Sequence, residues 1–274
     1  MSEELEYFAA DQTPDIEVRV CFGRKRCPVE RIASDALQDY GYDGIMHYAV
    51  ARVKGNVSMI ATVYDDTFSH VTMWLNTNEF GDSLKQYCKI LQHFPMREML
   101  AQYHALLLHS SRIALPAPGG GEETIVFTAP SQTGKTTQAR LWQRSMGARI
   151  VSNDRTLIRM VGGDVQTSGY PVDGSSPVCD PEKLGIRAII ILRQGKENTA
   201  RRLKPSEAMP YLMEQTSADR WNAQEMVNIQ MLWMDILERC PVWLYFCRPD
   251  ESAVYALKEI LEEDGRVCFA ERNT

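Results

Sequence analysis

The sequence predicts a mixed α/β domain over residues 101–274, preceded by a β-rich lobe over residues 1–100, and three observations carry that prediction. The first is a strand, loop and helix in immediate succession: the apolar run Thr124 to Thr128, the loop Ala129-Pro130-Ser131-Gln132-Thr133-Gly134-Lys135-Thr136, and a helical continuation through Trp142. That is the order a phosphate-binding P-loop requires. The second is the run of apolar strands and amphipathic helices that follows it toward the C-terminus. The third is the series of β-branched and aromatic runs before residue 100, separated by short turn-forming segments.

The loop is the centre of the chemistry. Gly134 lets the backbone approach phosphate oxygens, and the amides of the loop and first helical turn meet them with the positive end of the helix dipole behind. Ser131, Gln132, Thr133, Gly134, Lys135, Thr136 and Thr137 therefore form the predicted nucleotide cradle. Lys135 is expected to stand exposed in the loop and to bridge the outer phosphates. Thr136 is placed to coordinate a magnesium ion on the same phosphates. The motif is imperfect at Ala129, which replaces the usual first glycine and is less free to adopt a positive φ. Gln132 likewise stands where a small residue is common.

A helix of about three turns is expected to end near Gly147. The next apolar strand, Ala148 to Ser152, carries Asn153 and Asp154 at its C-terminal end. An acid at that point can hold the magnesium water shell opposite Thr136; the alternative for Asp154 is a surface turn before Arg155.

Together these residues carry a resemblance. Leu108-His109-Ser110-Ser111, the strand, Ala-Pro-Ser-Gln-Thr-Gly-Lys-Thr-Thr, the helix and Gly-Ala-Arg-Ile-Val-Ser-Asn-Asp-Arg resemble the HPr kinase-like proteins, whose P-loop domain is related to phosphoenolpyruvate carboxykinase. The sequence looks closest to small members associated with modified-peptide gene clusters. Similarity continues through Gly169 to Ser176 and the strand Ala188 to Leu192, over about residues 105 to 265. The resemblance implies an ATP- and magnesium-dependent kinase acting on a hydroxyl, a serine of a peptide, a protein or a small molecule. It also places His109 near the nucleotide phosphates; without it, a hydrogen-bonded structural histidine is the better reading. In such enzymes two adjacent acids end the strand and the first serves as acid and base. Here that position is Asn153, and an amide cannot take a proton.

Composition narrows the alternatives. With 274 residues the chain can bury a full core, and 44% hydrophobic with 24% charged residues is ordinary for a globular protein. A net charge of -6 offers no broad field for nucleic acid. Arg201, Arg202 and Lys204 are its one small basic cluster, read as a solvated strand end. The seven cysteines are dispersed without zinc spacing. With an acidic N-terminus and no membrane-length apolar run, they point to a reduced, cytoplasmic protein.

In the N-terminal lobe, Ile16 to Phe22, Ile45 to Val53, Val57 to Tyr64 and Val71 to Leu75 read as a small antiparallel meander, with a hairpin turn at Lys54-Gly55-Asn56. It would serve as an acceptor site or as a homo-oligomer surface; His47, His70 and His93 receive no role. Helical spacing from Asp82 to about Leu107, broken at Pro95, precedes a strand through Ile113 and Leu115. Beyond Asp154, a hairpin over Gly162-Gly163-Asp164, a buried strand at Ile186 to Leu192, helices over Pro205 to Gln215 and Trp221 to Arg239, a strand at Pro241 to Cys247, a helix Ser252 to Glu262 and a strand Arg266 to Phe269 are expected.

Asn153 leaves the proton acceptor open. Asp173, the one acid of the Gly169 to Ser176 loop that the resemblance brings near the phosphates, is the candidate, and Asp173→Asn is expected to cut phosphoryl transfer while leaving ATP binding nearly unchanged. Full transfer by that variant would remove it. Two other readings stand beside the kinase: a non-catalytic nucleotide-binding partner in peptide maturation or regulation, and a carboxykinase-like enzyme, whose second metal cluster and substrate-binding arginines are not found. The donor could be ATP, ADP or pyrophosphate.

Overall fold

The structure is a computed structural model that describes residues 14, 16–25, 31–35, 38–51, 58–82, 90–118, 120–170 and 178–264. These residues form two compact units, divided between Met99 and Leu100.

The first unit is one mixed sheet. Its strands are β1 (Val18–Phe22), β2 (Arg31–Ser34), β3 (Gln38–Tyr42), β4 (His47–Ala51), β5 (Ile60–Tyr64) and β6 (Val71–Leu75), in the order β1-β6-β5-β4-β3-β2. Strands β4 to β6 run antiparallel, as the turn signals imply, and β2 and β3, which are not among the expected strands, extend the same antiparallel order. β1 departs from the expected meander by lying parallel to β6, with Val18 opposite Val71. Turn residues report only sequential neighbours, and a parallel partner is by necessity non-local. Tyr40, Ile60, Tyr64, Phe68, Met73 and Phe94 make up most of this unit's core. A short helix, α1 (Thr77–Phe80), follows β6. The expected hairpin turn at Lys54-Gly55-Asn56 and the strand at Arg266 to Phe269 lie outside the described residues.

The chain enters the second unit within α2 (Met96–Gln102). Helical spacing predicts this helix to about Leu107, yet it stops at Gln102. His104 takes a left-handed φ of 54°, and Leu106 and Leu107 belong to β7 (Ala105–Pro116). β7 is paired on both sides, with β8 (Glu122–Thr128) and β9 (Arg149–Val161). A ladder on each edge outweighs a local periodicity.

β9 shows the same effect. Two strands separated near Asn153-Asp154 were expected from turn propensity, but β9 is continuous over 13 residues. β7 is long enough to pair with it from Arg149 to Arg159, so Asn153 and Asp154 lie mid-strand opposite Ser111 and Ser110.

After β9 come β10 (Asp164–Gly169), β11 (Leu184–Gln194), β12 (Thr199–Arg202), α4 (Pro205–Gln215), the two-residue β13 (Thr216–Ser217), α5 (Ala223–Arg239), β14 (Val242–Cys247) and α6 (Ser252–Glu263). The helix between β8 and β9 is α3 (Lys135–Met146). The sheet order is β10-β9-β7-β8-β11-β14-β12, with β8, β11 and β14 mutually parallel and β13 added to β7. β10 also pairs with β11, which closes five strands into a ring. Arg112 is buried between them and donates to Thr167 Oγ1 and to the carbonyls of Asp180 and Glu182. Burial pushes its pKa down to about 10.

Alternation along the central strands assigns the two faces. Ile125, Phe127, Ile190 and Leu192 pack with Trp142 of α3 and with Val254 and Leu257 of α6. Val126, Ile189 and Ile191 pack with Leu212 of α4 and with Ile229, Leu232, Trp233 and Ile236 of α5. The predicted apolar stripe of α5 is thus core, although Met226 is only half-buried. Trp233 donates from Nε1 to Thr216 Oγ1 at 2.9 Å, which holds β13 in place. Three layers result, and the C-terminal end of the parallel strand β8 opens onto the α3 N-terminus. In open α/β sheets ligands gather at such strand ends.

Among the described residues no helix is long and apolar enough to cross a membrane. Cys21, Cys179, Cys240 and Cys247 are free thiols, and burial raises the pKa of Cys240 to about 12. Arg202 pairs with Asp264 and Arg201 with Glu207 at the exposed strand β12.

Candidate functional site

The loop after β8 is shaped by two left-handed residues, Gln132 (φ 64°) and Gly134 (φ 117°). Ala129, the first departure from the motif, needs no positive φ and is simply buried. The strain falls on Gln132, where a left-handed non-glycine costs roughly 1–2 kcal/mol. A Cβ on Gly134 would meet nothing within 4 Å, so glycine is required there by conformation, not by space.

Gly134 is also the N-cap of α3 and has no side chain to cap with. The first intrahelical bond runs from Gln138 N to Gly134 O at 2.9 Å. The amides of Lys135, Thr136 and Thr137 therefore have no acceptor within the helix. Orphan donors with a dipole behind them suit an anion.

Lys135 is not exposed as expected: only 8% of it is accessible. Its ammonium turns back over the loop and donates to the carbonyls of Ala129 at 2.7 Å and Pro130 at 3.1 Å. Burial lowers its pKa, opposed by the nearby charge of Asp154.

Asn153 joins three elements. Its Oδ1 accepts from Ser111 Oγ of β7 at 2.6 Å and from Thr136 Oγ1 of α3 at 2.9 Å. The Thr136 hydroxyl gives its proton to Asn153 and keeps its lone pairs for a cation. Beside it, His109 Nε2 lies 3.5 Å from Asp154 Oδ1. The His109 backbone is fixed by a bond from Thr128 Oγ1 to its carbonyl, at 2.9 Å. Burial lowers the His109 pKa, helped by the positive charges of Lys135 and Arg155 and opposed by Asp154. The ring is therefore biased toward its neutral form.

These groups share one cavity of about 860 Å³. Of the residues predicted from sequence, His109, Asp154, Ser131, Gln132, Gly134, Lys135, Thr136 and Thr137 are on its wall. Thr133 is not; its amide turns back toward Pro130 O at 3.4 Å. Asp173 lies outside the described residues, as does most of the Gly169 to Ser176 loop. Ser111, Arg140, Asn153 and Arg155 complete the wall, and sequence reasoning assigned none of them a binding role. Ser111 and Arg155 stood within the runs that carry the resemblance, but only the β7 to β9 register brings them to the cradle.

Among the described residues of the wall, Lys135, Arg140 and Arg155 oppose one carboxylate, Asp154, so the cavity suits a polyanion. Among the described residues no group of three His, Cys, Asp or Glu side chains could hold a metal ion by itself. Magnesium needs no such cage, since one carboxylate, a hydroxyl and ligand phosphates are hard oxygen donors enough. Thr136 and Asp154 fit that requirement.

No protein-family profile and no curated protein matches the sequence. Among solved structures, the chain is similar to the Hpr(Ser) kinase/phosphatase from Coxiella burnetii, with 11% identity and a TM-score of 0.33, over 58% of this chain and 95% of that one. A likeness so distant transfers no chemistry. What the cavity can do follows from its own side chains: hold a phosphate chain on backbone amides and Lys135, and hold a hard cation between Thr136 and Asp154.

Proposed function

We propose that this protein is an ATP- and magnesium-dependent phosphotransferase of HPr kinase-like type, which passes the terminal phosphoryl group to a hydroxyl of a peptide, protein or small molecule. The observation that carries the reading is convergence: the uncapped amides of α3, the Lys135 ammonium and the Thr136 and Asp154 oxygens all border one cavity large enough for a nucleotide.

The residue roles follow from donor chemistry. The amides of Lys135, Thr136 and Thr137 orient the phosphates, and Lys135 balances their charge. Asp154 and Thr136 fix the cation, which when bound draws negative charge off the transferring group. Asn153, holding two hydroxyls on its Oδ1, keeps the first turn of α3 in register with β7 and β9. His109 in its neutral form accepts or relays a proton beside Asp154. Transfers of this kind depend mainly on positioning and charge neutralisation.

Asn153 also favours a second reading, a nucleotide-binding partner without transfer activity, because its amide cannot serve as a base. Labelled ATP incubated with the protein and candidate hydroxyl acceptors separates the two: transferred label supports the phosphotransferase, and tight binding with no transfer supports the partner.

The cation assignment has its own test. Asp154→Asn is expected to weaken ATP affinity about 10- to 100-fold with magnesium present, the usual cost of a lost metal-orienting group, and to change it little in EDTA. Calorimetric titration reads both. Equal losses in the two buffers would give Asp154 a purely structural part.

A further inference from the structure

Arg155 is a cation of the cavity wall that the phosphate cradle does not use. It comes from β9, opposite His109 in the β7 ladder, whereas Lys135 comes from α3. Its guanidinium is held in place: Nη1 donates to Ser217 Oγ of β13, and β13 is fixed to β7 through the Ser217 and Leu107 pairing. Its Nε is buried and has no hydrogen-bond partner among the described residues. The other buried arginines are differently placed. Arg187 pairs with Glu123 near the start of β8, and Arg112, whose Nε is likewise without a hydrogen-bond partner among the described residues, is supplied with a hydroxyl and two carbonyls; neither borders this cavity. Arg140 is exposed to solvent. Among the described residues of this wall, Arg155 is the one that combines a half-buried charge with an anchored guanidinium plane outside the phosphate cradle.

A guanidinium on a cavity wall with no ion pair to a carboxylate among the described residues attracts a ligand anion. The planar fork selects oxyanions that accept two parallel bonds, namely carboxylate or phosphate. We infer that Arg155, anchored by Ser217, forms a second oxyanion subsite in the cavity, beyond the cradle built on Lys135. Resting on the nucleotide reading above, two sources supply such a group: the terminal phosphate of the nucleotide, or a carboxylate or phosphate that the acceptor carries next to its hydroxyl. In the second case the acceptor class narrows to anionic hydroxyl compounds.

The test is calorimetric and uses the full chain. MgADP, MgATP and inorganic phosphate are titrated separately; then phosphate, N-acetylserine and N-acetylserinamide are titrated into MgADP-loaded protein. Arg155→Gln is expected to weaken phosphate binding about 10- to 100-fold, the range for a lost charge-assisted pair, while MgADP affinity stays within about twofold. A matching loss for MgATP identifies the nucleotide's terminal phosphate as the source. An unchanged MgATP affinity, with N-acetylserine preferred over N-acetylserinamide only in the parent, identifies the acceptor. If the parent binds phosphate through Arg155 but binds no nucleotide, the nucleotide reading fails and the subsite stands. Equal affinities of Arg155→Gln and parent for phosphate, MgATP and N-acetylserine overturn the subsite, as does a parent that binds neither anion. Should Arg155→Gln not fold, Arg155→Lys keeps the charge without the fork and carries the same comparison: a several-fold loss is expected, and parental affinity overturns the proposal. Ser217→Ala, which frees the guanidinium without removing it, is expected to weaken phosphate binding by a smaller factor than Arg155→Gln.

Discussion

Replacing Lys135 with alanine is expected to weaken MgATP binding about 10- to 100-fold, because a charge-assisted contact is worth about 1.5–3 kcal/mol and 1.4 kcal/mol is tenfold in affinity. The loss should persist in EDTA, since the ammonium meets phosphate directly, and this separates it from the Asp154 effect. The structure adds a cost that an exposed lysine would not carry. Lys135 Nζ also bonds the carbonyls of Ala129 and Pro130, and Ala129 is buried. Leaving buried acceptors unmade costs about 1–3 kcal/mol. The variant should therefore unfold a few degrees below the parent, at about 2–4 °C per kcal/mol for a chain of this size class. Equal ATP affinity in variant and parent would remove the cradle assignment, whatever happens to stability.

The second large effect is a gain. Asn153→Asp places a carboxylate where one amide oxygen now accepts from Ser111 and Thr136. One carboxylate oxygen can keep those two bonds. The other replaces an NH₂ donor with an acceptor on the cavity wall, able to take a proton from a hydroxyl or water. A positioned general base is worth about 10²- to 10⁴-fold, and a loose transition state holds the gain toward the low end of that range. Release of labelled phosphate, with water as the acceptor, reads the effect without knowledge of the natural acceptor. Two neighbouring carboxylates should also tighten magnesium binding, which calorimetry records. A variant that turns over more slowly than the parent would show that the parent already has its base elsewhere, with His109 the nearest group on the wall and Asp173 the candidate from sequence.

Much of the second unit was readable before any coordinates. Strand β8, the turn into α3, the end of α3 at Gly147, the core stripe of α5 and the strands β11 and β14 all follow from period, caps and glycine positions. These are local properties: a helix start needs orphan amides and a small N-cap, and both are written in consecutive residues. The loop's left-handed turn into α3 was predictable for the same reason, since Gly134, Lys135 and Thr136 are adjacent in the chain.

Long-range pairing was not written locally. The ends of α2 and β9 were misplaced because β7 pairs with β9 along most of its length and draws Leu106, Leu107, Asn153 and Asp154 into a ladder that overrides their own preferences. β1 joins β6 in parallel for an equally non-local reason. What the sequence by itself determined is the succession of strand β8, a glycine turn at Gly134 and helix α3, which leaves free amides at the helix start. Tertiary structure alone decided that Asn153 occupies the two hydroxyls of Ser111 and Thr136, that Lys135 is buried against its own loop, and that Arg155 stands anchored opposite His109 on the cavity wall. Each depends on side chains from separate strands and helices meeting, and that is set by sheet register and three-layer packing, not by spacing along the chain.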